Sequence, residues 1–291
     1  MIKNQLKTAL TTFLLITGAA FLATSARAQN ASTTYTSGDL MGGVRLSNNT
    51  GAGNLLWDLG SVSIFNNLVG TSAGAVVNVN TGMFISGGSG ASGINGIGNL
   101  GADLTAQFGA SWATLNDTTS WNAGKLATLF GFVGVGTGNT VFVSNTSLTS
   151  WANITSGQGG GVKSAVDTMG LAGYDGQIST ANSNFTVSQT GTGSDTWNGH
   201  VYNQQPADFT LFSSVPGAQG QQFDGNLNQT FYLDKLVPGA AGVTLGFFTI
   251  NSSGNITYTV VPEPATYQML ALGALGLTGL LILRRRRAAR A

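Results

Sequence analysis

The sequence contains no cysteine, a single histidine and a single glutamate, and only 8% of its residues are charged. Without cysteine, the protein has no disulfide, no thiol nucleophile and no Cys-ligated zinc site. The lone histidine, His200, excludes a site with several histidine ligands, and its neighbours Trp197 and Tyr202 favour packing over catalysis. We therefore expect no metal site, no cofactor and no catalytic residue.

The scarce charges are unevenly distributed along the chain. Residues 29–260 contain ten Asp, no Glu, three Lys and one Arg, so ten negative and four positive charges leave this body at −6, whereas the whole chain is at +1. Nucleic acid attracts basic surfaces. A mildly acidic body therefore predicts no nucleic-acid partner.

The first 28 residues have the organisation of a secretory signal peptide. Two lysines form a positive start, and an apolar run follows from Leu10 to Ala23. Ala26 and Ala28 provide the small residues of a cleavage site before Gln29. A transmembrane helix is the alternative, but the run is short and is interrupted by threonine and glycine. The pattern predicts export through the general secretion machinery and a body at residues 29–260.

Residues 261–291 contain three consecutive elements. Pro262 and Pro264 flank Glu263 and hold this stretch extended, because each proline fixes its own φ and restricts the preceding residue. The segment from Tyr267 to Leu283 carries no charge and would span about 25 Å as a helix, the short end of what a bilayer requires. An arginine cluster then predicts a cytoplasmic membrane stop, formed by Arg284, Arg285, Arg286 and Arg287.

This order of Pro-Glu-Pro, apolar span and arginine cluster resembles the PEP-CTERM sorting signal of Gram-negative bacteria. The resemblance implies that an exosortase, a membrane enzyme of the cysteine-protease type, recognises Pro262, Glu263 and Pro264 and cleaves near them. The precursor would be anchored in the inner membrane, and the body would then reach the cell surface or the exterior. A plain tail anchor is the alternative. The body also resembles ectodomains that precede such tails, at Gly38-Asp39-Leu40 and Asp58-Leu59-Gly60.

The body itself has the pattern of a mainly β protein. Short segments rich in Val, Thr, Phe and Tyr are separated by Gly and Asn, which predicts strands at 55–59, 76–80, 126–132, 140–143, 229–236, 243–250 and 255–260. Helical spacing occurs at Leu100, Leu104 and Phe108, stopped by Gly109, and at Val162, Val166 and Met169, stopped by Gly170. The glycine-rich segments 87–90 and 157–161 are interpreted as loops. We expect one β-sandwich-like ectodomain with one or two short helices, plus a C-terminal transmembrane helix.

Three patterns suggest chemistry. Gly96–Gly101 matches the dinucleotide-binding fingerprint, but a Gly/Ser-rich loop precedes it where a strand is needed, which favours a loop that begins a helix. Asp224, Asn226 and Asn228 have calcium-loop spacing without the later Gly and Glu, which favours a turn. A carboxylate pair could hydrolyse glycosides, and the Asp residues without turn-forming neighbours are Asp58, Asp103, Asp208 and Asp234.

The five tryptophans are the remaining lead. They could form a sugar-stacking surface, although burial in the core is the favoured interpretation: Trp57, Trp112, Trp121, Trp151 and Trp197. The sequence thus favours an exported, non-enzymatic cell-surface or extracellular-matrix protein that associates with biofilm exopolysaccharide and is processed by an exosortase. A carbohydrate-binding module is the main alternative, and a secreted hydrolase with paired Asp residues is the second.

Overall fold

The computed structural model describes residues 34–46, 53–115, 127–146, 151, 153–175, 186–189, 197 and 225–261. Its ten strands are β1 Asp39–Leu46, β2 Asn54–Ser61, β3 Val76–Asn78, β4 Met83–Ser86, β5 Thr128–Val135, β6 Val141–Asn145, β7 Val187–Gln189, β8 Phe231–Leu236, β9 Val243–Ile250 and β10 Ile256–Val260. They form one antiparallel sheet in the order β4-β3-β10-β9-β8-β6-β5-β1-β2-β7. The mainly β prediction is confirmed.

The part of the fold closest to the sequence prediction is the meander of β8, β9 and β10. Pro238 and Gly239 lie in the turn that joins the first two strands, and Gly239 has a φ of +78° that suits glycine. The second turn is held by Asn251, whose side-chain oxygen accepts hydrogen bonds from Ser253 N and Asn255 N. Because both connections are short, each strand pairs with the next one in the chain.

The sheet curls over one of its faces instead of forming two separate layers. Phe132 on β5 stacks on Phe248 on β9 with ring centroids 4.0 Å apart, although two strands lie between these two in the sheet. Register shifts interrupt the ladders at β1–β2, β3–β4 and β8–β9, and such irregularities increase local twist. The predicted two-layer sandwich is therefore corrected to one continuous, strongly curled sheet.

Both faces of the curled sheet carry a hydrophobic core. The inner core is rich in aromatic side chains, including Trp57, Phe65 and Tyr258. The outer core lies beneath the helix that contains Val162 and Val166. All eight residues of β5 are buried, because a strand covered on both faces has no solvent-facing side.

Two adjacent glycines in β1 provide space for tryptophans. Gly42 pairs directly with Trp57 on β2, and a Cβ at Gly42 would lie 2.1 Å from the Trp57 Nε1 atom. A Cβ at Gly43 would lie 2.1 Å from Cδ2 of Trp197. Successive strand residues point to opposite faces. At Gly42 and Gly43, which have no side chains, β1 therefore lies between the indole rings of Trp57 and Trp197.

Three α-helices accompany the sheet in the described part of the chain: α1 Val62–Thr71, α2 Leu100–Phe108 and α3 Ser156–Thr168. The two predicted helices are α2 and α3, and the stop at Gly109, with φ +84°, is confirmed. The sequence did not predict α1, which contacts both β2 and β9. It therefore fills the inside of the curl.

Two glycine predictions on α3 are wrong. The segment 157–161 is helical, because Thr155 and Gln158 form a capping box at its start and Gly159 approaches the Asn139 backbone closely. Gly170 is not a stop, since the chain continues as a π-helical turn, Met169–Asp175. The Tyr35 ring lies where a Cβ of Gly170 would be, so this glycine serves a close contact.

Among the described residues, no helix is long and apolar enough to cross a membrane. The predicted signal peptide at 1–28 and the predicted span at 267–283 lie outside the described residues.

Candidate functional site

A hollow of about 490 Å³ lies where the first turn of α1, the β5–β6 turn and the residues before β1 come together. Its wall is partly apolar, formed by Val62, Val135 and Phe142. Five hydroxyl side chains share the lining: Ser37, Ser61, Ser63, Thr137 and Thr140. We call this feature the lysine hollow, because Lys163 of α3 and Lys235 of β8 also line it.

Local structure fixes several of these hydroxyls. Ser61 is the N-cap of α1, where its side chain accepts a hydrogen bond from Ser63 N at 3.3 Å. The hydroxyls of Ser61 and Ser63 are 2.8 Å apart. Thr137 belongs to the 3₁₀ turn Thr137–Asn139 between β5 and β6, where the non-glycine residue Asn139 has a φ of +58°. These hydroxyls of the lining therefore lie at a helix N-cap and in a tight turn, at the ends of secondary-structure elements.

The two lysines differ in their partners. Lys163 donates to the Asp167 carboxylate at 2.5 Å, one helical turn away, and also to the Ser37 hydroxyl. Lys235 donates to the side-chain oxygen of Asn66 at 3.0 Å. Among the described residues Lys235 makes no ion pair, so its charge is not neutralised locally.

A cluster of carboxyl groups and tyrosines lies behind the hollow. Asp39 and Asp58, on the neighbouring strands β1 and β2, form a pair of buried carboxyl groups. Asp39 also accepts from Thr36 N at 2.8 Å, and Asp58 accepts from Gly60 N at 2.7 Å. The Tyr35 backbone donates to Asp175 at 2.5 Å. Both members of the pair are nearly inaccessible, at 7% and 2% exposure.

Burial sets the electrostatics of this cluster. It raises the pKa of Asp39, and the nearby Asp175 charge raises it further against the hydrogen bonds that lower it. Burial and the Asp167 carboxylate likewise raise the pKa of Tyr35, whose hydroxyl donates to Asp167 at 2.8 Å. Burial alone would raise the pKa of Asp167, but hydrogen bonds from Lys163, Tyr35 and Ser37 outweigh it and lower that pKa.

The carboxylates singled out from the sequence accept hydrogen bonds within the described part of the fold. Asp103 on α2 accepts from the Thr186 hydroxyl at 2.6 Å, and Asp234 on β8 accepts from the Thr244 hydroxyl at 2.6 Å. Burial raises the pKa of Asp234. Asp208 lies outside the described residues.

The tryptophans do not form an exposed surface in the described part of the chain. Four of them are at most 3% exposed, as the favoured core interpretation predicted: Trp57, Trp112, Trp151 and Trp197. Trp121 lies outside the described residues. Trp57 and Trp112 meet phenylalanines edge to face, at centroid distances of 6.4 and 6.3 Å. A sugar platform made of two or more of the four is therefore excluded.

The glycine-rich motifs are part of the scaffold. The fingerprint-like Gly96–Gly101 is a loop that leads into α2, as predicted, and Asn99 caps that helix by accepting from Ala102 N at 3.2 Å. The β9–β10 turn packs closely against the first turn of α2, because a Cβ at Gly101 would lie 2.1 Å from the Ser253 carbonyl oxygen.

Two other sequence motifs also lie in turns or at the ends of elements of the scaffold. Gly70-Thr71-Ser72-Ala73-Gly74 has the G-x-S-x-G spacing of hydrolases, but it begins in the last two residues of α1 and leads to a strand, the reverse of the strand-to-helix order of a nucleophile elbow. Asn226 accepts from Asn228 N at 3.0 Å in a turn, as predicted for the calcium-like loop. Asp224 and His200 lie outside the described residues, and the described ones hold no group of three or more metal-ligating side chains.

The last described strand leads directly into the predicted sorting signal. β10 ends at Val260, and Val261 N still donates to the Leu245 carbonyl at 3.1 Å. Residues 260–287 match the family model for the PEP-CTERM protein-sorting motif. The chain carries a PEP-CTERM sorting signal. This motif is the C-terminal signal of exosortase substrates and implies an exported, membrane-anchored precursor with an exosortase as its processing partner.

Beyond the PEP-CTERM motif, no curated protein and no solved structure matches the chain. The individual residues predicted for recognition and sorting lie outside the described residues, and so do the predicted signal-peptide residues: Pro262, Glu263, Pro264, Arg284, Arg285, Arg286, Arg287, Ala26 and Ala28.

Two features of the site were not predicted. The Asp39–Asp58 pair results from the β1–β2 register, in which Met41 lies opposite Asp58 and Asp39 opposite Ser61. Recognising β1 as a strand would have placed these carboxyl groups together. The lysine hollow has no sequence signal, because its lysines are 72 residues apart and come from a helix and a strand.

Proposed function

We propose that the chain is a non-enzymatic protein of the cell surface or extracellular matrix, associated with biofilm exopolysaccharide and released from its membrane anchor by an exosortase. Pro262, Glu263 and Pro264 would be the recognition elements, and Arg284–Arg287 would mark the cytoplasmic side of the precursor. The match to the PEP-CTERM motif at residues 260–287 carries this proposal.

The position of the motif relative to the fold supports processing. β10 pairs with β9 on one side and with β3 on the other, and both ladders end by Val260. Cleavage near Pro262 therefore removes none of the described ladder hydrogen bonds. A released body would keep its sheet intact.

The chemistry of the described residues supports a structural role for the body. Four buried carboxylates each accept a hydrogen bond within the fold: Asp39, Asp58, Asp103 and Asp234. A mildly acidic surface with many hydroxyl and amide groups suits a hydrated, carbohydrate-rich matrix.

The test is the intact mass and the location of the native protein in the host and in a strain without its exosortase. We expect a body that begins near Gln29 and ends near Pro262, at the surface or outside the cell, only when the exosortase is present. A Pro262→Ala/Pro264→Ala double variant should accumulate in the membrane at its uncleaved mass. The matched control is Gln268→Ala, a substitution beyond the Pro-Glu-Pro motif, and this variant should be processed normally.

Either of two results would contradict this proposal. The first is an uncleaved tail in the membrane of both strains, which would make residues 267–283 an ordinary anchor. The second is normal release of the double proline variant, which would remove the role of Pro-Glu-Pro.

A further inference from the structure

We propose that the lysine hollow binds an anionic sugar, a hydroxyl-rich ring that carries a carboxylate or a phosphate. This inference goes beyond the sorting function and does not depend on it, because every residue of the hollow belongs to the described body. Three observations support it: two lysines converge on the hollow, its lining is rich in hydroxyl groups, and its volume suits a sugar.

The charge distribution favours an anion. The body has only three lysines, and two of them line this single hollow although they come from α3 and β8. Asp167 balances the charge of Lys163, whereas among the described residues the Lys235 ammonium group hydrogen-bonds to the neutral Asn66 and makes no ion pair. Asp39, next to the lining residue Gly38, is buried at 7% exposure. A positive charge therefore remains at Lys235 in a body that is otherwise acidic.

The other lining groups favour a polyol over a bare ion. Five hydroxyls and the Asn66 amide can each donate or accept hydrogen bonds. Val62 and Val135 also line the hollow, but at 4% and 2% exposure they add only a small apolar surface. A small inorganic anion would use the lysine and leave most of these groups unengaged.

The size of the hollow agrees with a sugar. Its volume of about 490 Å³ lies within the usual range of ligand sites, about 300–1,000 Å³. That space accommodates one or two sugar rings with their water. A lysine ammonium group acts as a point charge and can bind either a carboxylate or a phosphate. The hollow therefore favours a ligand that carries both a negative charge and hydroxyl groups.

The experiment is saturation-transfer NMR on the full chain purified in detergent micelles. The probes are glucuronic acid, glucose 6-phosphate, glucose and inorganic phosphate, each titrated to about 10 mM, in the range of weak single-sugar affinities. The variant is Lys235→Gln, which removes the unbalanced charge and keeps a polar side chain. The two anionic sugars separate a carboxylate source from a phosphate source.

The control is Ser252→Asp, which changes the net charge by the same one unit. Ser252 is exposed in the β9–β10 turn, at the other end of β9 from Val243, the residue that pairs with Lys235. At about 3.3 Å per strand residue, this places it on the order of 23 Å away. Thermal unfolding of both variants checks that the fold is retained.

We expect at least one anionic sugar to bind, and Lys235→Gln to weaken that binding about five- to tenfold, the effect of one charge-assisted hydrogen bond in a half-open site. Ser252→Asp should change it less than about twofold. If glucose binds as tightly as the anionic sugars, the role of charge is overturned. If inorganic phosphate binds as tightly as glucose 6-phosphate, the role of the hydroxyls is overturned. No binding by any probe, or equal weakening by both variants, would overturn the site itself.

Discussion

Gly42→Ala tests whether Trp57 needs the space that the missing side chain of Gly42 leaves on β1. The added Cβ would lie 2.1 Å from Nε1, 2.4 Å from Cε2 and 2.9 Å from Cζ2 of Trp57. Ordinary contacts between such atoms are about 3.5–4.0 Å, so the ring would have to withdraw by more than about 1 Å. Trp57 has no exposed surface and meets Phe132 edge to face at 6.4 Å, so it has no free space to enter.

Overpacking of a filled core costs about 1–3 kcal/mol. We expect the upper end, about 3 kcal/mol, because Gly42 pairs directly with Trp57 and the contact involves the body of the ring. For a domain of this size that cost lowers the melting temperature by about 6–12 °C. Thermal unfolding of the full chain in detergent, followed by circular dichroism, measures the change.

The same substitution at a different glycine is the control. Gly70 lies in α1, and nothing would come within 4 Å of its added Cβ. Gly70→Ala should therefore stabilise the protein by about 0.5–1 kcal/mol, the usual gain in a helix. Trp57→Leu combined with Gly42→Ala should cost less than the sum of the two single changes. A Gly42→Ala protein as stable as the wild type would refute the packing argument.

Two further predictions concern the carboxyl pair and the cap of α3. Burial raises the pKa of Asp39 in the folded state, so its contribution to stability is present below the unfolded pKa of about 3.9 and is lost as the pH rises through the folded value. Asp39→Asn should therefore raise neutral-pH stability and flatten the pH dependence of urea midpoints above about pH 4. An unchanged pH dependence of the midpoints would contradict this. Thr155→Ala removes the acceptor of Gln158 N and should cost about 1 kcal/mol. Thr155→Ser keeps the acceptor and should cost clearly less; equal losses in thermal melts would show that the capping hydroxyl is not responsible.

Sequence patterns predicted the elements whose structure is determined locally. β8, β9 and β10 are amphipathic or apolar segments joined by short turns, and α2 has an Asn cap and a Gly stop within its own sequence. β1 was missed because Gly42 and Gly43 break the strand pattern, and their purpose appears only when Trp57 and Trp197 are in place. The glycines of α3 were misassigned for a similar reason, since Gly159 is needed for the approach of the β5–β6 turn.

The candidate site shows the same limit. The sorting signal is a linear motif, so its order of elements was readable in the sequence and the family model confirms it. The lysine hollow and the Asp39–Asp58 pair depend on long-range pairing, because Lys235 lies on a strand that joins β6 and β9, far from α1 in the chain. No local pattern encodes that proximity.

The position of β10 sets an order of events for the exported chain. β3 and β4 form a hairpin early in the chain, yet the only other neighbour of this hairpin in the described sheet is β10, about 180 residues later, for example through Val77 and Tyr258. Segments emerge from a translocation channel in chain order, and non-local pairing is slow. We therefore expect that end of the sheet to stay open until the residues just before the sorting motif have crossed the membrane. An anchored tail would hold the last strand beside the membrane while the hairpin docks, so that the final closing of the fold and the presentation of the cleavage site occur at the same place.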